Sequence, residues 1–303
     1  MAKDFIGQEY LAATGGRGLQ EDSRNTRILV RTTVTCSVLI TLISVAMIAC
    51  CIFFAVCPVI GTSMMTTLNA SGDNTDSAIT CILGEAKRGD IVVCKLYLQN
   101  THYYKYVDLA AKGDPDAIAI INDLKKVYSE KDKKGYYMFI VKRLIGMPGD
   151  KISMRRVDDN YYIYRNGEKL NESYLDPMVS HPSAMNFKQL WNLLNDRSQA
   201  DMSDWVKAPA ATCITANQYV DAGDGEASQS MLTVPAGSYF LMGDNRGYED
   251  EKYSHSWDST YFGPLPKANY VSRCVDIVRT DISMPEYLWK KFIYYCAFGW
   301  MWQ

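Results

Sequence analysis

The chain has 303 residues, enough for one sizeable domain or two small ones. Its formal net charge of −2 provides no basic footprint of the kind that binds nucleic acid, so we expect no nucleic-acid partner. Its nine cysteines include no C-x-x-C motif, which argues against a zinc or redox site. We expect neither a metal nor an organic cofactor.

The first segments in chain order are a polar tail and a long apolar run. Residues 1–31 are Gly-rich and polar, which predicts a flexible tail. Residues 32–72 carry no charge, and 34–60 are almost wholly apolar. This run exceeds the roughly 20 residues that a helix needs to cross a bilayer. A signal peptide has a shorter apolar region and a small-residue cleavage site, so we interpret 32–60 as a retained transmembrane helix.

The charges that flank the apolar run predict its orientation. Three arginines precede it, Arg24, Arg27 and Arg31, and the first charged residues after it are acidic, beginning with Asp73 and Asp76. Because positive charge favours the cytoplasmic side, we expect a single-pass protein of the cell membrane. The tail 1–31 would be cytoplasmic, and the rest of the chain would lie outside.

The region 61–283 predicts a mostly β domain. Runs rich in β-branched and aromatic residues predict strands at 90–94, 136–145, 161–165, 238–242 and 270–278. The Asn-Gly pair at 166–167 predicts a hairpin with a type I′ turn. Two insertions interrupt the β pattern. The one near 97–135 has the periodicity of one or two surface helices, and the one near 176–233 is irregular.

The last segment, 284–303, is strongly aromatic. Its apolar part, 292–302, is too short to span a bilayer. Two interpretations are open for this segment. Its rings could pack in the core, or they could sit at the lipid surface beside Lys290 and Lys291, which is the interpretation that we favour.

Four stretches carry the candidate chemistry. They read GTSMMTTL at 61–68, KRGDIVV at 87–93, FIVKRLIGMPGD at 139–150, and GDNR at 243–246 followed by SWDST at 256–260 and FG at 262–263. Taken together and in this order, they resemble type I signal peptidases, membrane-anchored serine proteases that use a Ser–Lys dyad. The third stretch is specific, and the four together are a strong signal although they cover a minority of the chain.

The resemblance implies a fold and a function. The fold would be a signal-peptidase-like β-sheet catalytic domain with an N-terminal transmembrane helix and helical or irregular insertions. The function would be the removal of signal peptides from exported preproteins after small residues, at the surface of the lipid bilayer. Ser63 would be the nucleophile and Lys142 the general base, and Ser256 corresponds to a hydroxyl that orients the lysine. A charged scaffold around the dyad corresponds to Asp244, Arg246, Asp258 and Arg143.

The residues themselves are consistent with this chemistry. A serine hydroxyl needs a nearby base, and a lysine serves only if burial lowers its pKa from about 10.4. In a strand, Lys142 shares a face with Ile140 and Leu144, but the opposite face is also apolar, so alternation alone does not choose between Lys142 and Arg143. Arg143 is excluded as the base because a guanidinium stays protonated.

The oxyanion hole is the first departure from the family pattern. The resemblance implies two donors, the backbone amide of Ser63 and, in many members, a hydroxyl two residues earlier. This chain has Gly61 at that position. The second donor could be Thr62, a backbone amide or a water molecule, and these alternatives remain open.

Other departures support competing interpretations. Thr66 replaces a family proline, Thr260 replaces a family arginine that would pair with Asp258, and 247–255 is an insertion. With Gly61, these changes would suit a catalytically impaired, membrane-anchored binding module on the same fold.

A self-cleaving repressor would lack the membrane span. A Ser–His hydrolase using His255 would need a Gly-x-Ser-x-Gly elbow, which is absent from the sequence.

Overall fold

The computed structural model describes the backbone of residues 4–65, 67–69, 76–176, 180–205, 213–219, 224–247, 256–279 and 285–286, and the side chains from residue 24 onward. The described residues form two units, one that ends at Phe53 and one that begins at Phe54. Thr66, His255 and all of the aromatic segment 284–303 except Pro285 and Glu286 lie outside the described residues. The predictions made for them stay predictions.

The first unit contains one long helix, α1, at Asp4–Phe53. Its part Arg24–Phe53 is long and apolar enough to cross a bilayer by length and hydropathy alone. The expected flexible tail is helical from Asp4 on, because a helix extends cheaply once nucleated and no proline interrupts 4–23. The helix also ends at Phe53 instead of residue 60, since the next residues pair in a β-sheet and Pro58 could not continue a helix.

The second unit is built on two antiparallel sheets. The larger sheet has the strand order β1-β2-β14-β3-β5-β12-β13, with β4 also paired to β5, and the smaller has the order β8-β7-β6-β11-β9, with β10 also paired to β6. The strands are β1 Phe54–Pro58, β2 Ser77–Cys81, β3 Ile91–Tyr97, β4 Glu130–Asp132, β5 Gly135–Gly146, β6 Lys151–Val157, β7 Asn160–Arg165, β8 Glu168–Lys169, β9 Ile214–Ala216, β10 Glu226–Ala227, β11 Ser230–Thr233, β12 Ser238–Met242, β13 Leu265–Pro266 and β14 Tyr270–Val278. Further α-helices are α2 Tyr104–Ala111, α3 Pro115–Val127, α4 Met185–Asn195 and α5 Ser259–Phe262.

The strand predictions are confirmed as β3, β5, β7, β12 and β14. The predicted hairpin is also present. Arg165 pairs with Glu168, and Asn166 and Gly167 both have positive φ, 55° and 86°, as a type I′ turn requires. The insertion near 97–135 holds the two predicted helices, α2 and α3.

The insertion near 176–233 is less irregular than predicted. It contains α4 and three short strands, β9, β10 and β11, that complete the smaller sheet. The strands have two to four residues, which is too short for a visible alternation. In α4, polar residues such as Asn186 and Gln189 are buried, so its apolar periodicity is broken at positions that face the core.

Three apolar clusters stabilise this unit. The first packs α4 against the smaller sheet, and the second lies under α2 and α3. The third joins Met64 and Leu68, which both follow Ser63 in the chain, to Val93 of β3 and Val141 of β5. Since Met64 and Leu68 are at most 1% exposed, the segment that carries Ser63 is anchored on the larger sheet.

Candidate active site

The segment that carries Ser63 is a loop whose two ends are joined by hydrogen bonds from Asn69. The Asn69 amide donates to the carbonyl oxygens of Val59 at 2.9 Å and Gly61 at 3.1 Å. Its backbone N–H donates to Asp76 Oδ2 at 2.7 Å. These bonds tie both ends of the loop together, so Ser63 occupies a defined position just after β1, half-buried in the domain.

Lys142 lies near the end of β5 and is 3% exposed. Its Nζ donates a hydrogen bond to Ser256 Oγ at 3.1 Å. Burial lowers the pKa of Lys142 from 10.5 to about 8, and the carboxylates of Asp258 and Asp244 oppose part of this shift. A substantial fraction of this lysine is therefore neutral at mildly alkaline pH, the form that accepts a proton.

Gly243 shows how closely the two serine segments approach each other. A Cβ placed on it would lie 2.1 Å from Ser256 Oγ and 2.3 Å from the Ser63 carbonyl oxygen. That carbonyl also accepts the backbone N–H of Asn245 at 3.1 Å. The Gly-Asp-Asn-Arg turn thus holds the Ser63 backbone and the lysine's hydroxyl partner together, and only glycine leaves the space.

Arg143 forms a bidentate pair with Asp244 beside the dyad. Its Nε donates to Oδ1 at 2.7 Å and its Nη2 to Oδ2 at 2.5 Å, while Nη1 donates to the Gly89 carbonyl at 2.8 Å. The Thr67 hydroxyl donates to Asp244 Oδ2 at 2.5 Å. The guanidinium lies 3.8 Å from the centre of the Tyr174 ring. Asp244 therefore links β5 to the Ser63 loop.

Arg246 is fully buried behind the same turn. Its Nη2 forms a salt bridge of 2.5 Å with Glu172, and its Nε donates to the Gly243 carbonyl at 2.7 Å. The Ser180 hydroxyl bridges the turn by donating to the Asp244 carbonyl and accepting the Arg246 N–H. Arg246 therefore stabilises the main chain at Gly243 from the buried side of the turn.

Asp258 is held by four hydrogen bonds to neutral donors. Oδ1 accepts the Thr260 N–H at 3.0 Å and hydroxyl at 2.8 Å. Oδ2 accepts the Gly243 N–H at 3.0 Å and the Asn186 amide at 2.8 Å. Threonine at 260 does remove the guanidinium of the family pattern, but these donors satisfy the carboxylate, which is fully buried.

Gly61 offers no side chain to an oxyanion. It has φ +96°, a left-handed conformation in which any other residue would be strained, and a Cβ there would point into open space. The Thr62 carbonyl accepts the N–H of Met65 and the amide of Asn245, both at 3.0 Å. The Ser63 amide and a second donor from Thr62, the backbone or water stay predictions.

Hydrogen bonds connect Lys142, Ser256, Asp244, Arg246, Asp258 and Arg143 in one network, which Ser63 joins through its backbone carbonyl oxygen. The structure also adds side chains that sequence reasoning missed, namely Thr67, Glu172, Tyr174, Ser180 and Asn186. Thr67 lies inside a quoted motif, but the others lie far from any motif and carry no distinguishing local pattern. Chemically, the arrangement can activate a serine hydroxyl with a neutral lysine whose orientation a second hydroxyl maintains.

Comparisons with known proteins identify the family of this chain. The sequence matches the family model described as signal peptidase, peptidase S26, over residues 31–278. Signal peptidase I of Bacillus caldolyticus is 31% identical over 150 residues, which cover 50% of this chain and 56% of that one. Signal peptidase I of Rickettsia typhi is 32% identical over 133 residues, which cover 44% and 43%. The chain thus spans about half the length of the curated relatives it matches.

The solved structures that match include the crystal structure of a signal peptidase I from Enterococcus faecalis V583. It is 22% identical, the match covers 64% of this chain and 99% of that one, and the TM-score is 0.26, which is too low to support a structural argument. The family match has more weight, because it spans most of the chain and includes Ser63, Lys142 and every residue of the network around them. The chain belongs to the signal peptidase family, peptidase S26.

Proposed function

We propose that this protein is a membrane-anchored serine endopeptidase that removes signal peptides from exported preproteins after small residues. Ser63 is the nucleophile and Lys142 the general base. The observation that supports this proposal best is a buried lysine, with a pKa near 8, bonded to Ser256 Oγ where the Ser63 segment meets Gly243. Relatives of this chain in Buchnera aphidicola and Bacillus caldolyticus carry the name signal peptidase I.

The proposed mechanism needs only the residues of this network. Neutral Lys142 takes the Ser63 hydroxyl proton as Oγ attacks the scissile carbonyl, and the Ser63 amide stabilises the oxyanion. The intermediate collapses, the protonated lysine gives its proton to the leaving amine, and an acyl-enzyme remains. Lys142 then activates a water molecule that hydrolyses the ester. Ser256 keeps Nζ directed through both steps.

The anchor accounts for the proposed substrate. Ser63 follows shortly after α1, whose Arg24–Phe53 part is apolar enough to cross a bilayer. A signal peptide buries its apolar core in the bilayer, and its cleavage site follows that core. Nucleophile and scissile bond would then meet at one depth. Membrane lipid is therefore a proposed partner together with the preprotein.

A cleavage assay separates this function from that of a catalytically impaired binding module. The purified full-length protein in detergent should convert a preprotein to its mature form, and sequencing of the new N-terminus should place the cut after a small residue. A binding module would retain the preprotein uncut. The Thr260 departure gives that alternative little support, because Thr260 itself donates to Asp258.

The pH dependence follows from the state of Lys142. Its pKa near 8 lies below that of an ordinary lysine, and only the neutral amine acts as base. We expect kcat/KM to rise with pH through about 8 and then to level off, because deprotonation is complete above the pKa. Initial rates at low preprotein concentration, from pH 6 to 10, would measure this. A rate that instead follows an acidic group near pH 5 would contradict the neutral-lysine mechanism.

The proposed orientation can be tested by proteolysis. Protease added outside intact cells or spheroplasts should digest the region after residue 68 and spare residues 1–31, because Arg24, Arg27 and Arg31 favour a cytoplasmic tail. Immunoblots against a tag at residue 2 and a tag in the catalytic domain would report both sides. Degradation of the residue-2 tag from outside would reverse the topology.

A further inference from the structure

Helix α4, Met185–Asn195, lies in the insertion near 176–233, yet it reaches the catalytic network. Its Asn186 is fully buried, and the side-chain amide donates to the Ser256 carbonyl and to Asp258 Oδ2, both at 2.8 Å. Its backbone N–H donates to the Arg246 carbonyl at 3.0 Å. One residue of the insertion therefore contacts three of the predicted site residues.

The orientation of this amide is dictated by its contacts. Both Nδ2 hydrogens point to acceptors of the 256–260 segment, whereas Oδ1 lacks a hydrogen-bond partner among the described residues. A flipped amide would place Oδ1 against the Asp258 carboxylate and the Ser256 carbonyl, two acceptors. An unsatisfied buried oxygen is costly, so the contacts to Ser256 and Asp258 outweigh that cost.

We infer that Asn186 is a positioning residue for the proposed Ser–Lys reaction, supplying from the inserted helix the donor to Asp258 that an arginine at position 260 supplies in the family pattern. The inference rests on the proposed function. Residues 247–255 separate the Gly-Asp-Asn-Arg turn from Ser256 and Asp258 along the chain. Asn186 bonds to both segments, through its backbone to Arg246 and through its side chain to Ser256 and Asp258.

The charges around Asp258 determine what removal of the amide should do. Asp258 interacts electrostatically with Arg246, Lys142 and Tyr261. Asp244 is the other carboxylate that raises the pKa of Lys142. The Asn186 amide disperses part of the Asp258 charge. Without it, more negative potential reaches Lys142, the ammonium form is favoured, and the pKa of Lys142 rises.

The test measures the titration of Lys142 without requiring catalysis. The sample is full-length Ser63→Ala protein in detergent, labelled with ¹³Cε-lysine, and its lysine resonances would be followed by NMR as the pH is changed. The Lys142 resonance is the one that is missing from the spectrum of the Lys142→Met variant. Adding Asn186→Leu should raise the Lys142 midpoint by about one pH unit. In the Ser63 background, the same change should reduce kcat/KM about tenfold near neutrality, with the deficit shrinking as pH rises.

Gln189 provides the matched control. It is a buried amide one turn further along α4, and it donates to the carbonyls of Asp201 and Thr260 without contacting Asp258. Gln189→Leu should lower the melting temperature but leave the Lys142 midpoint unchanged. Asn186→Ala, which removes the donor without adding bulk, is the second variant if Asn186→Leu fails to fold.

Two outcomes would overturn the inference. One is an unchanged Lys142 midpoint in a folded Asn186 variant. The other is an activity loss that is constant across pH and matches that of Gln189→Leu at equal loss of stability, which would make Asn186 merely structural. If the wild-type protein fails to cleave preprotein while the Asn186 variants still shift the Lys142 titration, the proposed function fails and the electrostatic role of Asn186 stands.

Discussion

Ser63→Ala and Lys142→Ala should each reduce kcat for preprotein cleavage by on the order of 10⁴-fold or more, and the double variant should be no slower than either single one. In the proposed mechanism, Ser63 supplies the attacking oxygen, and Lys142, which is bonded to Ser256 at 3.1 Å, accepts its proton. Because neither group works without the other, the two losses cannot add. Single-turnover rates on one preprotein for the four proteins would complete the cycle.

Lys142→Met is the control that separates chemistry from folding. Methionine is apolar and similar in length, so it should occupy the buried site of a lysine that is 3% exposed and whose charged form burial disfavours. We expect full loss of cleavage with an unchanged or raised melting temperature at neutral pH. Clear residual activity in Lys142→Met or Lys142→Ala would assign the base elsewhere, with His255 the next residue to test.

Gly243→Ala should also inactivate the enzyme, by roughly 100-fold or more in kcat. The new methyl group would lie 2.1 Å from Ser256 Oγ and 2.3 Å from the Ser63 carbonyl oxygen. The Ser63 carbonyl is backbone, so it cannot rotate away, and the loop must move relative to the lysine's partner. Displacements of about 1 Å are enough for losses of this size. Rates and melting temperatures of the purified variant would be measured together.

Gly146→Ala is the matched substitution outside the dyad. Gly146 ends β5, and its added Cβ would meet the Val234 side chain at 2.9 Å and the Phe240 Cβ at 3.2 Å. Overpacking of this kind costs about 1–3 kcal/mol of stability, and we expect Gly146→Ala to lose stability but to keep most of its activity. Equal activity losses in Gly243→Ala and Gly146→Ala at equal melting temperature would show that Gly243 contributes only packing.

Much of the fold is predictable from local pattern. Strands β3, β5, β7, β12 and β14 follow from runs of β-branched and aromatic residues, and the hairpin turn follows from Asn166 and Gly167. Motif order also indicates Ser63, Lys142 and the charged residues that the structure joins in one network. Helix limits were less predictable, because the end of α1 at Phe53 depends on pairing of Phe54–Pro58 with Ser77–Cys81.

The sequence by itself determined the apolar segment that could cross a membrane, the mostly β character of the domain and the candidate dyad, since each depends on residues close together in the chain. Only the tertiary structure decided that Lys142 is buried beside Ser256 and that Asn186 reaches Asp258. It also decided that the Ser63 and Ser256 segments pack so closely against Gly243 that no side chain larger than hydrogen fits there. The Lys142–Ser256 and Asn186–Asp258 contacts join residues 114 and 72 positions apart. The local sequence pattern cannot predict these distant partners, because the hydrogen bonds and the desolvation of a buried group depend on which residues the whole fold brings together.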